Sequence, residues 1–326
     1  MRGLIIFILC GFIGWGGYWV VGSTTLESRL NTAFDEAANQ GINLQYSEFG
    51  VQGFPNRFDT VMHDVDLKIP AEGIAWQAPW FTTAALSYKP WHLIASWPET
   101  QTLTVGDFTT DILSSEMQAS VVFEPDVSLP LERSQMVARD LQIKPVATQQ
   151  TLSISELFIA TRQNPNTSET HDLLISLKQI LPPADLMAAI DPEQKLPLHL
   201  SEFRSDTSLE FAGPVNRIAP PVLKALDLRE AKLIWGNAIV TIGGRLTPDA
   251  SGRPDGQMAL KIQNWRDIFQ VLVSTGLAQP GWEGALSALT LSDGDPTTLN
   301  APLLFRDGQI WLGPFPLAQA PVLFAG

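Results

Sequence analysis

The chain has 326 residues, of which 45% are apolar and only 17% are charged, so it has enough apolar side chains for a sizeable core. Its 21 Lys and Arg residues face 34 Asp and Glu residues, a net charge of -13 that excludes the basic surface required for binding nucleic acid. The single cysteine excludes an intrachain disulfide.

The first apolar segment predicts a membrane anchor. Gly3–Gly22 contains no charged residue, and a helix of this length would be about 30 Å long, the thickness of the hydrocarbon core of a bilayer. Arg2 precedes the segment and a mixed, slightly acidic flank follows it. By the positive-inside rule we expect a single-pass inner-membrane protein with a cytoplasmic amino terminus and a periplasmic body.

A cleaved signal peptide is the alternative interpretation of this segment. The bulky end of the run, from Tyr18 to Val21, and the absence of a following Ala-x-Ala sequence disfavour cleavage. Leu9 before Cys10 disfavours a lipoprotein signal, so Cys10 is expected to be a small apolar residue of the helix. Trp15 and Trp19 lie near the outer end, at the level where aromatic rings favour headgroups.

A stalk helix is predicted to continue from the anchor. Ser and Thr residues after Gly22 are suited to cap its start, and Gly41 is suited to end it. One apolar face is formed by Leu26, Leu30, Phe34 and Ala37. The chain then divides into an anchor (residues 1–22), a stalk (residues 23–41) and a body (residues 42–326).

The body has the apolar alternation typical of β-strands. One hairpin is predicted around the turn Gly53–Asn56, and another across Asp307 and Gly308. Further strands are predicted at 103–105, 119–123, 142–143, 152–160, 173–177, 231–235, 238–242 and 258–262. Several of these are apolar on both faces, which requires cover on both sides or a hydrophobic channel.

Helices are expected to be fewer and short. The candidates are Pro183–Ile190, Pro221–Leu228 and Trp265–Thr275. The polar, turn-rich stretch Thr161–Thr170 marks a possible internal division of the body. We therefore predict an α+β fold that is predominantly β, with a transmembrane and a stalk helix followed by a large curved antiparallel sheet and a few short helices.

Motifs that carry chemistry are scarce. Asp293–Thr297 has the form D-x-D-x-T and follows the apolar segment Leu289–Leu291, which is interpreted as a strand. A D-x-D-x-T segment after a strand resembles the nucleophile loop of haloacid-dehalogenase-like phosphatases. No Lys follows it, so a polar turn is the favoured interpretation. Asp64 and Asp66 of a predicted strand supply too few oxygen ligands for Ca²⁺.

The histidines do not form a recognisable metal site. His63, His92, His171 and His199 are scattered, without zinc-ligand spacing. Nucleotide-binding and hydrolase motifs are also absent from the sequence. We therefore expect no cofactor and no enzymatic activity, with a hydrolase that lacks a known motif as the less favoured alternative.

The aromatic stretch Trp76–Pro98 is the candidate functional surface. The structural interpretation of this stretch is a β-hairpin whose aromatic rings fill the core. The functional interpretation is an apolar surface that contacts the membrane or an acyl chain. The candidate residues are Trp76, Trp80, Phe81, Trp91 and Trp97.

Several turns and aromatic motifs resemble those of one protein family. They are G-F-P-N-R at 53–57, A-P at 78–79, Y-K-P at 88–90, L-I-W-G at 233–236, G-G-R-L at 243–246, G-R-P-D-G at 252–256, N-W-R at 264–266 and R-D-G-Q-I-W-L-G at 306–313. Together with the single apolar span, they resemble the alphaproteobacterial domain-of-unknown-function family DUF2125. More distantly, the anchor, the stalk and the G-F-P turn are similar to AsmA-like envelope proteins.

The AsmA-like resemblance implies a long β-sheet with an apolar inner groove and a proposed role in lipid transport, and it assigns no functional residue. We expect an inner-membrane-anchored periplasmic protein with a hydrophobic groove that binds or passes lipid acyl chains in envelope maintenance. The alternative is a scaffold that binds another envelope protein.

Overall fold

The computed structural model describes residues 2–148, 150–292 and 294–323, with side chains described for 10–148, 150–291 and 294–323. It is 54% strand and 20% helical, with a large antiparallel sheet, which confirms the predominantly β fold. The chain forms two compact units. The first comprises residues 1–125 and 142–149, and the second comprises residues 126–141 and 150–326.

The first unit opens with helix α1, which is continuous over Arg2–Asn39. The predicted stalk helix is confirmed and continues from the apolar segment as expected, and the hydroxyls of Ser23 and Thr24 donate to the carbonyl of Val20 inside the helix. Gly41, with a φ of +84°, ends the helix as predicted. Within the described residues, no helix has the length and apolarity that crossing a membrane requires.

The strands of the first unit pair in antiparallel hairpins. They are β1 (Asn43–Gln45), β2 (Glu48–Gln52), β3 (Arg57–Ile69), β4 (Ile74–Leu86), β5 (Lys89–Ser96), β6 (Thr100–Val105), β7 (Phe108–Leu113) and β8 (Glu116–Phe123). Both β1 and β2 pair with β3, and the Gly53–Asn56 turn joins β2 to β3 as predicted. Strand β9 (Leu131–Pro145) contributes its last residues, which pair with β7.

Strand β4 changes its partner at Pro79. Residues Ile74–Gln77 pair with β6, whereas Thr82–Leu86 pair with β5. Proline lacks the N–H group that a ladder requires, so it marks the point where one pairing ends. The segment Trp76–Pro98 is therefore largely the β4–β5 hairpin that the structural interpretation predicted.

The second unit is a succession of antiparallel strands, each paired with the next along the chain from β10 to β18. They are β10 (Leu152–Asn164), β11 (Thr167–Leu181), β12 (Leu200–Phe211), β13 (Leu223–Trp235), β14 (Ala238–Pro248), β15 (Pro254–Gln263), β16 (Thr298–Arg306), β17 (Gln309–Leu312) and β18 (Phe315–Gln319). The predicted hairpin at Asp307 and Gly308 is confirmed by the pairing of Arg306 with Gln309. Thr161–Thr170, the predicted possible division, contains the β10–β11 turn and lies inside this unit.

Three α-helices of the second unit are α2 (Ala184–Ile190), α3 (Trp265–Ser274) and α4 (Glu283–Ser292). The first two confirm the predictions at 183–190 and 265–275. The helix predicted over Pro221–Leu228 is wrong, because these residues enter β13 and pair with strands on both sides. Leu289–Leu291 is also not a strand: it lies in α4, where Leu286 and Thr290 are buried one turn apart.

The packed core of the second unit includes residues of α3, α4 and the strands β14 to β17. Its fully buried side chains include Trp265, Leu286 and Leu299. The amphipathic character of α3 explains this position, since its apolar residues recur at helical spacing on the face that packs against the sheet.

His171 on β11 is a buried titratable group of this unit. It is 1% exposed, and neither ring nitrogen has a hydrogen-bond partner among the described residues. Its ring packs against Phe211 in a T-shaped arrangement, with ring centres 6.0 Å apart. Burial lowers the pKa of His171, and the adjacent Asp172 carboxylate opposes this only in part.

We predict that acidification destabilises the fold through His171. The imidazole of His171 takes up a proton near pH 6.5 in the unfolded chain but only at lower pH in the folded chain. The free energy of unfolding therefore has its full value above about pH 6.5 and falls as the pH drops towards the lower pKa of the folded state. Urea unfolding of the full chain in detergent micelles should show a smaller loss of unfolding free energy between about pH 7.5 and 5.5 for His171→Leu than for the wild type. Equal losses in the two proteins would contradict this role.

Candidate functional site

A groove lies between α1 and the first unit's sheet, and we call it the α1 groove. On the helix, its lining residues recur every three or four positions and therefore form one continuous face. These residues are Gly14, Gly17, Tyr18, Val21, Gly22, Thr25, Leu26, Arg29 and Leu30.

The opposite wall of the groove comes from β3, β4 and β5. It consists of Phe58, Thr60, Thr83, Ala85, Pro90 and Leu93. Register places Thr60 beside Thr83, and Ala85 beside both Phe58 and Leu93, so these side chains share one face of the sheet. The small residues on β4 leave room for a cavity of about 990 Å³.

Glycines determine how closely α1 approaches the sheet. A Cβ atom added at Gly14 or Gly17 would meet no other atom within 4 Å, so both positions open onto free space. At Gly22, by contrast, an added Cβ would lie 2.6 Å from Cζ of Phe58. The helix therefore touches the sheet at Gly22 and stands away from it at Gly14 and Gly17.

Aromatic side chains attach α1 to two turns of the first unit. The indole N–H groups of Trp15 and Trp19 donate to the carbonyls of Pro55 and Arg57 at 2.9 and 2.6 Å. The hydroxyl of Tyr18 donates to the carbonyl of Ser87, in the β4–β5 turn, at 2.7 Å. These bonds hold the middle of the helix against the sheet.

A second attachment lies nearer the carboxyl end of α1. The ring of Phe34 packs against Tyr46 and Phe49, with ring centres 6.0 and 5.5 Å apart. Such aromatic pairs each contribute about 0.5–1.5 kcal/mol beyond the burial of their surface. The helix is thus held at two places along its length.

The lining of the groove is apolar except for one cation and a few hydroxyls. Arg29 is the one charged residue among the lining residues that the structure describes. Neutral apolar walls exclude water from the chain of a bound molecule, while a cation at one position favours an anionic group there.

The predicted aromatic surface lies elsewhere in the same unit. The five residues Trp76, Trp80, Phe81, Trp91 and Trp97 are all half-buried, and none lines the α1 groove. Phe81 contacts both Trp76 and Trp97, with ring centres 5.6 and 5.4 Å apart. The N–H of Trp76 donates to the buried side chain of Gln101 at 2.7 Å. The structure thus brings together three of the five residues as an aromatic cluster.

Asp64 and Asp66 line a separate cavity of about 530 Å³ in the first unit, together with Asp111. Asp64 accepts from Ser47 at 2.6 Å, and Asp111 accepts from Thr102 at 2.9 Å. Asp66 pairs through Oδ2 with Lys68 at 2.9 Å, whereas its buried Oδ1 has no hydrogen-bond partner among the described residues. No group of His, Cys, Asp and Glu residues with metal-binding geometry occurs in the part of the chain that the structure describes.

The D-x-D-x-T segment is a turn in its described part. Asp293 lies outside the described residues. The carboxylate of Asp295 accepts hydrogen bonds from the hydroxyl and the N–H of Thr297, and the hydroxyl bond is the main cause that lowers its pKa to about 2. This is the geometry of a polar turn, as its favoured interpretation predicted.

Sequence reasoning found the helical stripe of α1 only from Leu26 onward and missed its continuation through Gly14, Gly17 and Gly22. The signal was present, since small residues recur there at helical spacing. The sheet wall gave no comparable signal, because Thr60, Thr83 and Ala85 become neighbours only through strand register.

Comparison with known proteins identifies one family. A family model described as an uncharacterized protein conserved in bacteria (DUF2125) matches residues 19–321. No curated protein and no solved structure matches the chain.

We predict that Gly22→Ala destabilises the first unit although alanine favours helices. Its methyl group would collide with Phe58, whose ring stacks against Trp19, so we expect a loss of about 1–3 kcal/mol in unfolding free energy. Gly11→Ala is the matched control, because a Cβ there meets no atom within 4 Å and should stabilise slightly. Urea unfolding measures both, and recovery of the loss in Gly22→Ala with Phe58→Leu would confirm the contact. Equal effects of the two glycine substitutions would refute it.

Proposed function

The chain belongs to DUF2125, an uncharacterised family of proteins conserved in bacteria, and we propose its function from the geometry of the α1 groove. The protein is a non-enzymatic, membrane-anchored component of the cell envelope that holds a lipid acyl chain in this groove. Its body lies in the periplasm, and the groove shelters the acyl chain during binding or transfer.

The size and lining of the groove carry this proposal. A cavity of about 990 Å³ with predominantly apolar walls lies at the upper end of the usual range for small-molecule sites, about 300–1,000 Å³. Gly14 and Leu30 are 16 residues apart on α1, or about 24 Å along the helix axis. This exceeds the ~15 Å thickness of one leaflet of a bilayer's hydrocarbon core, so the groove is long enough for an extended acyl chain, which would pass beside the contact of Gly22 with Phe58.

The sequence supports the membrane anchor. The uncharged run Gly3–Gly22 has the length of a membrane span and belongs to the same continuous helix as the groove face. Phe54 and Tyr88, in the two turns that receive the hydrogen bonds from α1, are more than half exposed. The ring of Phe54 contacts Trp19 inside the predicted span, so in an anchored protein these two turns would reach the outer leaflet, where exposed aromatic rings suit contact with lipid.

We predict that Gly17→Leu abolishes lipid binding without unfolding the protein. The leucine side chain would occupy free space inside the groove, since a Cβ at this position meets no atom within 4 Å. Gly11→Leu is the control: it makes the same change on the same helix, equally without contacts, at a position that does not line the groove.

The measurement is mass spectrometry of lipids extracted from the full chain after purification from membranes in mild detergent. Wild type and Gly11→Leu should carry about one acylated molecule per chain, and Gly17→Leu at least tenfold less. A wild-type protein free of lipid, or equal lipid content in the three proteins, would overturn the proposed function.

A further inference from the structure

We propose that the α1 groove selects lipids with an anionic headgroup and that Arg29 binds this headgroup. The inference rests on the proposed function and adds the class of ligand and its orientation. The acyl chain lies along the glycine face of α1, and the phosphate or carboxylate of the same lipid lies beside the guanidinium group.

Arg29 is free to bind such a group. It is exposed at the rim of the groove and forms no salt bridge among the described residues. The positions three and four residues away on α1, namely Thr25, Leu26, Thr32 and Ala33, include no acidic residue. A guanidinium group binds a phosphate or carboxylate through paired hydrogen bonds, which a neutral headgroup cannot match in strength.

The position of Arg29 also fixes the orientation of the lipid. It lies seven residues beyond Gly22, the last residue of the predicted span, or about 10 Å further along the helix. Gly14 and Gly17 lie within the predicted span, at the level of the outer leaflet. A lipid of that leaflet can therefore leave its tail at the level of Gly14 and raise its headgroup to Arg29 without turning over.

Among the described lining residues, Arg29 is the one cation, and the other polar side chains are the neutral hydroxyls of Tyr18, Thr25, Thr60 and Thr83. The hydroxyl of Tyr18 is engaged with the carbonyl of Ser87. Thr60 is buried on the sheet wall, whereas Thr25 lies one helical turn from Arg29. Arg29 is thus the group of the described lining that can neutralise a headgroup charge.

The test is displacement of a fluorescent fatty acid from the full chain held in amphipol. The competitors are palmitate, hexadecanol and inorganic phosphate, which separate the acyl chain from the anionic group. We expect the wild type to bind palmitate about tenfold more tightly than hexadecanol, since a charge-assisted hydrogen bond is worth at least this factor. Phosphate alone should displace nothing.

Arg29→Gln should lower palmitate affinity to that of hexadecanol and leave hexadecanol unchanged, and Arg29→Lys should restore part of the preference. Arg162→Gln is the control, because it removes the same charge from an exposed side chain of the second unit. Equal palmitate affinity in Arg29→Gln and the wild type would overturn the inference while leaving the proposed function intact. If the wild type bound neither palmitate nor hexadecanol, the inference and the proposed function would both be overturned. Displacement by phosphate alone would identify a simple anion site and would overturn the inference.

Discussion

The attachment of α1 to two turns of the first unit is the constraint on which the groove depends. Three aromatic side chains, Trp15, Tyr18 and Trp19, donate hydrogen bonds to backbone carbonyls rather than to other side chains. Backbone acceptors in tight turns are fixed by the chain itself, so the helix position is defined by the fold of the sheet. Helix α1 is continuous over Arg2–Asn39 and is also held at Phe34 by Tyr46 and Phe49, so both contacts set its distance from the sheet along the groove.

The choice of glycine on the groove face has a measurable cost. Each glycine in a helix is about 1 kcal/mol less favourable than alanine. At Gly22 the cost is offset by close packing, since Phe58 occupies the space that a side chain would take. At Gly14 and Gly17 no such compensation exists within the described residues, because their faces open onto the groove. A bound acyl chain would supply the missing contacts, which links these two positions to the proposed ligand.

The sequence predicts most single elements of this fold but not the groove. Apolar periodicity predicts α1 beyond Ser23, α3 and most strands, because each pattern is local. It fails at Pro221–Leu228, whose apolar spacing also suits a helix, because pairing with β12 and β14 decides the outcome. The sheet wall of the groove also depends on contacts between residues far apart in sequence. Thr60, Thr83 and Leu93 lie on three strands, and only the strand register places them on one face.

Long-range electrostatics do not explain a preference for anionic lipid. The chain carries a net charge of -13, which repels anions at distances where their charge is not yet screened. Within about 8 Å, the screening length at physiological salt, the local environment of Arg29 dominates. A protein anchored as proposed would meet lipid laterally, at the high local concentration of the bilayer, and would not need to attract it through solution. Selection by a single guanidinium group at the rim is therefore compatible with an acidic body, because the proposal assigns capture to the anchor and recognition to Arg29, on different parts of the same helix.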